Sequence, residues 1–79
     1  MKIQILGSGC ANCVTMEKHV REAVSELGIP AEIEKVTDIQ EIMALGVLST
    51  PALVLDGEVK SAGRVLKKDQ IAEFLKANT

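Results

Sequence analysis

Aromatic side chains are all but missing from this chain: Phe74 stands alone, and there is no Trp or Tyr. A surface that stacks on nucleobases is thereby excluded, and absorbance near the usual protein band is almost nil. The net charge of −2, with no basic patch, removes the electrostatic half of nucleic-acid binding as well. Long apolar runs are missing too. No stretch approaches the ~20 residues of a membrane span. The opening MKIQILG is too short for a signal peptide and leads straight into structure. The expected setting is therefore cytoplasmic, with no membrane and no nucleic acid as partner. Repeats, linkers and low-complexity segments are absent, so residues 1–79 are expected to form one domain. A chain this short buries only roughly 60% of its unfolded surface, which demands an economical core.

Cysteine is scarce, and both copies lie in one loop, GSGCANC, as Cys10 and Cys13. Three chemistries use a Cys-x-x-Cys: a redox disulfide, half of a zinc site, and a soft-metal carrier. A closed zinc site needs four ligands. Here there are two thiols and one histidine, His19, which sits about a quarter turn off the apolar stripe of its helix and reads as a surface residue. Bridging four residues closes almost no loop entropy, so a purely structural disulfide gains little. In a reducing compartment two such cysteines are more often catalytic or metal-binding than a staple.

The order of elements is legible. KIQIL, residues 2–6, reads as a strand, broken by Gly7-Ser8-Gly9. A helix follows over about 11–27, with Glu17 and Arg21 as an i,i+4 pair, and stops at Gly28 and Pro30. Residues 31–36 form a second strand, its Glu32 and Glu34 suited to an edge. Thr37 or Asp38 caps a short helix whose apolar stripe is Ile39, Ile42 and Met43, ended by Gly46. After Pro51, the unbroken ALVL of 52–55 suits a central strand covered on both faces. Asp56-Gly57 is a type I′ hairpin signal, returning through 58–61, with Gly63 closing it. A last helix over about 67–77 turns Ile71, Phe74 and Leu75 inward, although nothing before Lys67 marks its start. The expected fold is α/β, β-α-β-α-β-β-α: a four-stranded mixed sheet with helices on both faces.

Within this frame the two thiols are unequal. Cys13 lies on the helical stripe of Met16, Val20, Ala23, Val24 and Leu27 and should face inward. Cys10 precedes the first turn, where free N–H groups and the dipole favour a thiolate. Gly7 and Gly9 bend the loop and leave the approach to Cys10 open. One activated and exposed thiol beside a half-buried one is what a dithiol needs to attack a disulfide and then release itself.

A strand, then CANC opening a helix, then Thr50-Pro51 before the strand of a DG hairpin, then a glycine after that hairpin, resembles the thioredoxin superfamily. The short length is similar to glutaredoxins, and the match extends to the small thioredoxin-like redox-active disulfide proteins of prokaryotes. The resemblance implies a thioredoxin-like fold and a thiol–disulfide oxidoreductase whose catalytic residues are Cys10 and Cys13. It implies a cis bond before Pro51, substrate contacts from Ser49, Thr50, Pro51 and Gly63, and no cofactor or metal beyond the disulfide. Expected partners are protein disulfides and an unidentified reductase or thiol reductant, met by a monomer. The chain departs from the thioredoxin pattern in lacking Trp before the first cysteine, Gly-Pro between the pair and an acid in the first strand. Two further readings use the same loop. One is a Cu(I) carrier, since GSGCANC also resembles the loop of copper chaperones. The other is a redox sensor without turnover.

Overall fold

The computed structural model describes residues 1–7 and 9–77. In chain order the elements are β1 (Lys2–Leu6), α1 (Ala11–Leu27), β2 (Glu32–Val36), α2 (Ile39–Ala44), β3 (Ala52–Leu55), β4 (Glu58–Ala62) and α3 (Lys68–Ala77). The strands form one sheet in the order β2-β1-β3-β4. β1 pairs parallel to β2 and antiparallel to β3, and β3 pairs antiparallel to β4. The two hydrophobic strands thus take the centre, and the strand carrying exposed Glu32 and Glu34 takes an edge.

Alternation along the central strands splits the core in two. Ile3, Ile5, Leu53 and Leu55 meet Met16, Val20 and Ala23 of α1 and Ile71 and Leu75 of α3. Leu6, Ala52 and Val54 point the other way, onto Ile42 and Val47. All four residues of ALVL are fully buried because each side of that strand is covered. Gly28 caps α1 at φ +62°, donating to Val24 O and Ser25 O. Asp56 and Gly57 both have positive φ, as a type I′ turn requires. The β3–β4 register slips between Leu53 and Val54, leaving Lys60 as the bulged residue.

Three expectations need correction. The apolar stripe of α2 does not all face the sheet: Ile42 is buried, but Ile39 and Met43 are 67% and 60% exposed. α2 has only six residues. With Ile42 aimed at the sheet, Ile39 and Met43 fall about 60° and 100° around the helix axis and point sideways. α3 starts at Lys68, and its signal lies inside the helix: Gln70 Oε1 accepts the Lys67 N–H at 3.0 Å, the reverse half of a capping box. His19 is not simply a surface residue. Its Nδ1 lies 2.8 Å from Leu66 O, while Met16 Sδ accepts the Leu66 N–H at 3.3 Å. Leu66 is fully buried outside any helix or strand, so its backbone groups take their partners from the adjoining face of α1.

Candidate active site

Cys10 is the N-cap of α1, with extended backbone angles, and is exposed. Its Sγ accepts the N–H of Cys13 at 3.2 Å, one of the donors that a helix start leaves unpaired. Cys13 begins the buried stripe of α1 and is 6% exposed. The two are joined as a disulfide with a Cα–Cα distance of 5.1 Å. The expected inequality of the pair is therefore present in the geometry: one sulfur at the helix tip, the other packed beneath it.

Gly9 takes φ +85°, a left-handed bend that turns the chain from the loop into the helix. Gly7 serves differently from the expectation. It is buried, its N–H donates to Val36 O at 2.9 Å, and a Cβ there would overlap Cys13 Sγ and lie 3.8 Å from Thr50 Cβ. The glycine makes room for Cys13, not for the approach to Cys10, and brings the Thr50 side chain against the same spot. Only the tertiary packing of Cys13 back onto the end of β1 reveals this.

The Thr50–Pro51 bond is cis. Pro51 is fully buried and its carbonyl accepts the Gly63 N–H at 3.0 Å. Thr50 is exposed, and among the described residues its backbone amide and carbonyl have no hydrogen-bond partner. Gly63 has φ +81°, and a Cβ on it would come within 2.9 Å of Ser49 Cβ. Ser49, Thr50, Pro51 and Gly63 are thus one patch, joined to the cysteines through Gly7. The β3–β4 bulge lies at Lys60, within the strand and before Gly63.

Beside this patch opens an apolar groove of about 220 Å³, lined by Thr37, Ile39, Ile42, Met43, Val47, Leu48 and Thr50. Leu48 is 90% exposed. Sequence reasoning missed this wall; its one signal was an apolar stripe too wide for a helix of one and a half turns. On the other side of the disulfide, Glu17 bridges Arg21 at 2.9 Å and Lys35 of β2 at 3.4 Å. The Arg21 hydrogen bond is the main cause that holds the Glu17 carboxyl below its ordinary value, with Lys35 adding to it against the desolvation of partial burial.

Among the described residues no group of three or more His, Cys, Asp or Glu is placed to hold a metal ion. No helix among them is long and apolar enough to cross a membrane. Among the described residues the element order is β-α-β-α-β-β-α, which differs from the β-α-β-β-α-β order of the copper-chaperone fold and gives the soft-metal reading no support.

Residues 1–76 match the family model described as Thioredoxin domain. The chain is 52% identical over 75 residues to a protein named Thioredoxin from Methanothermobacter thermautotrophicus, covering 95% of this chain and 97% of that one. It is 43% identical over 75 residues to a protein named Thioredoxin from Methanocaldococcus jannaschii, covering 95% and 86%. With a redox disulfide at the head of a helix and a match that runs nearly end to end, this chain belongs to the thioredoxin family of thiol–disulfide oxidoreductases.

Proposed function

We propose that Cys10 is the attacking thiol and Cys13 the resolving one, acting on protein disulfides. The Cys10 thiolate attacks one sulfur of the substrate disulfide, and the other substrate sulfur leaves as a thiolate. Cys13, deprotonated, then attacks Cys10 Sγ in the mixed disulfide. The second substrate sulfur leaves, the Cys10–Cys13 disulfide forms, and two electrons have passed to the substrate. A dithiol reductase or thiol reductant returns the pair to its reduced form. The substrate backbone lies along Thr50, flanked by Ser49, Pro51 and Gly63, and a neighbouring apolar side chain enters the groove of Ile39, Met43 and Leu48. The protein works as a single-domain monomer in the cytoplasm and uses no cofactor beyond its disulfide.

The observation that carries the order of attack is the hydrogen bond from the Cys13 N–H to Cys10 Sγ at 3.2 Å, set against the burial of Cys13. That donor and the helix end stabilise negative charge on Cys10. Desolvation opposes it on Cys13. Iodoacetamide at mildly acidic pH should modify Cys10 of the reduced protein well before Cys13. Cys10→Ser should abolish reduction of a protein disulfide, and Cys13→Ser should accumulate a mixed disulfide on Cys10. Equal alkylation rates, or a mixed disulfide trapped on Cys13 in Cys10→Ser, would reverse the assignment. Turnover of a disulfide substrate separates an enzyme from a sensor that only changes state.

A further inference from the structure

The chain has three methionines, and the fold puts them in three different settings. Met16 is fully buried, and its Sδ already accepts the Leu66 N–H at 3.3 Å. Met1 is half-buried and packs against the core beneath α1 and α3. Met43 is 60% exposed and forms part of the wall of the apolar groove beside Thr50. A thioether reacts with a peroxide through its sulfur, so the reaction needs access to that atom. Packing and a hydrogen bond deny access at Met16, whereas Met43 is open to solvent. The other apolar residues of the groove are Ile39, Ile42, Val47 and Leu48, and among the described residues no charged side chain lines it.

We propose that Met43 is a site of oxidation by peroxide, and that its sulfoxide closes the groove to the apolar side chains of protein substrates. The Met43 sulfur attacks one oxygen of hydrogen peroxide; an S–O bond forms and the O–O bond breaks. The second oxygen leaves as hydroxide and takes the proton of the first, making water, and the sulfur has lost two electrons. The product is a polar acceptor on a wall that was apolar. In the empty groove that oxygen is hydrated. An entering apolar side chain strips its water and offers no donor, so the bound state is weakened and the free protein is not. Cys10 and Cys13 keep their chemistry, because Met43 lies on α2 and lines no part of the recess at Cys13. Peroxide thus takes the protein off polypeptide substrates while leaving it active on small disulfides. The inference rests on the groove receiving a substrate side chain, and its test can fail separately from that reading.

The test treats the disulfide form with hydrogen peroxide, since in that form neither cysteine has a thiol to consume the oxidant. Peptide mass should show one added oxygen on Met43 ahead of Met1, with Met16 unmodified. The urea midpoint should hold, because Met43 is on the surface. After dithiothreitol restores the dithiol, KM for a protein disulfide should rise about fivefold, the size of one polar group left without a partner. Reduction of a small aromatic disulfide should stay as it was before treatment. In Met43→Leu the same peroxide treatment should cause no rise in KM. Met43→Gln, a polar side chain of similar length, should raise KM for the protein disulfide with no oxidant present. Oxidation of Met1 or Met16 before Met43, or an equal rise in treated Met43→Leu, overturns the proposal. So does a Met43 sulfoxide that leaves KM unchanged while Met43→Gln raises it, and the groove then keeps its part in substrate binding. If neither the sulfoxide nor Met43→Gln raises KM, the groove receives no substrate and the proposal falls with that reading.

Discussion

Gly7 carries a constraint out of proportion to its size. A methyl group there would occupy the space of Cys13 Sγ and crowd Cys13 Cβ. Gly7→Ala should therefore lower stability by about 1–3 kcal/mol, the range for overpacking a closed site. It should also reduce the yield of the Cys10–Cys13 disulfide, measured by urea unfolding and thiol counting. Gly63→Ala meets two obstacles, φ +81° and Ser49 Cβ at 2.9 Å, and should destabilise by about 1–2 kcal/mol or more. Glu17 gives a pH signature. Its folded carboxyl titrates below the ordinary 4.5, chiefly through Arg21. The stability it contributes is complete above the unfolded value and is lost as pH falls through the folded one. The gap in urea midpoint between wild type and Glu17→Gln should be constant from neutral pH down to about pH 5 and close on further acidification. Salt should narrow it, since the partners Arg21 and Lys35 are half exposed.

At the scale of elements, α1 organises its surroundings through a few side chains. Its N-cap is a redox sulfur, its C-cap a glycine, and one turn of it, Met16 to His19, holds both backbone groups of Leu66. Met16→Leu preserves apolar volume but leaves the Leu66 N–H buried without a partner. The expected cost is about 1–3 kcal/mol, with faster hydrogen exchange at the Leu66 amide. His19→Ala should expose the same link from the carbonyl side. Gln70→Ala removes the side-chain partner of the Lys67 N–H and should destabilise by about 0.5–1 kcal/mol. The three substitutions bear on one joint, α1 against the entry to α3, so their effects should not add.

Taken whole, the molecule has two unlike recesses, one beside Thr50 and one beside Cys13. One is apolar, formed by Ile39, Met43 and Leu48; the other holds Lys35. The apolar wall should matter for polypeptides and not for small disulfides. Leu48→Ser and Met43→Ser are expected to raise KM for a protein disulfide several-fold while leaving reduction of a small aromatic disulfide within twofold. Equal losses on both substrates would remove the groove from substrate recognition. Both side chains are largely exposed, so stability should stay within about 0.5 kcal/mol and leave the kinetic comparison clean.

Local signals were sufficient for much of this architecture. Gly28 and Pro30 end α1 and the DG pair makes the hairpin; each rests on contacts within a few residues, which is why sequence alone determined them, while the ALVL run showed its central place by composition, being apolar on both faces. The Cys-x-x-Cys at a helix start is equally local, and so is the inequality of its two thiols. The α2 stripe misled because periodicity cannot say how much sheet a six-residue helix has to cover. The fit of Gly7 to Cys13, the Leu66 joint and the placing of Lys35 beside Cys13 join residues 6, 50 or 47, and 22 positions apart. These the tertiary structure alone decided, because each depends on which faces of α1 and β2 meet when the sheet closes, and no pattern of spacing along the chain encodes that meeting.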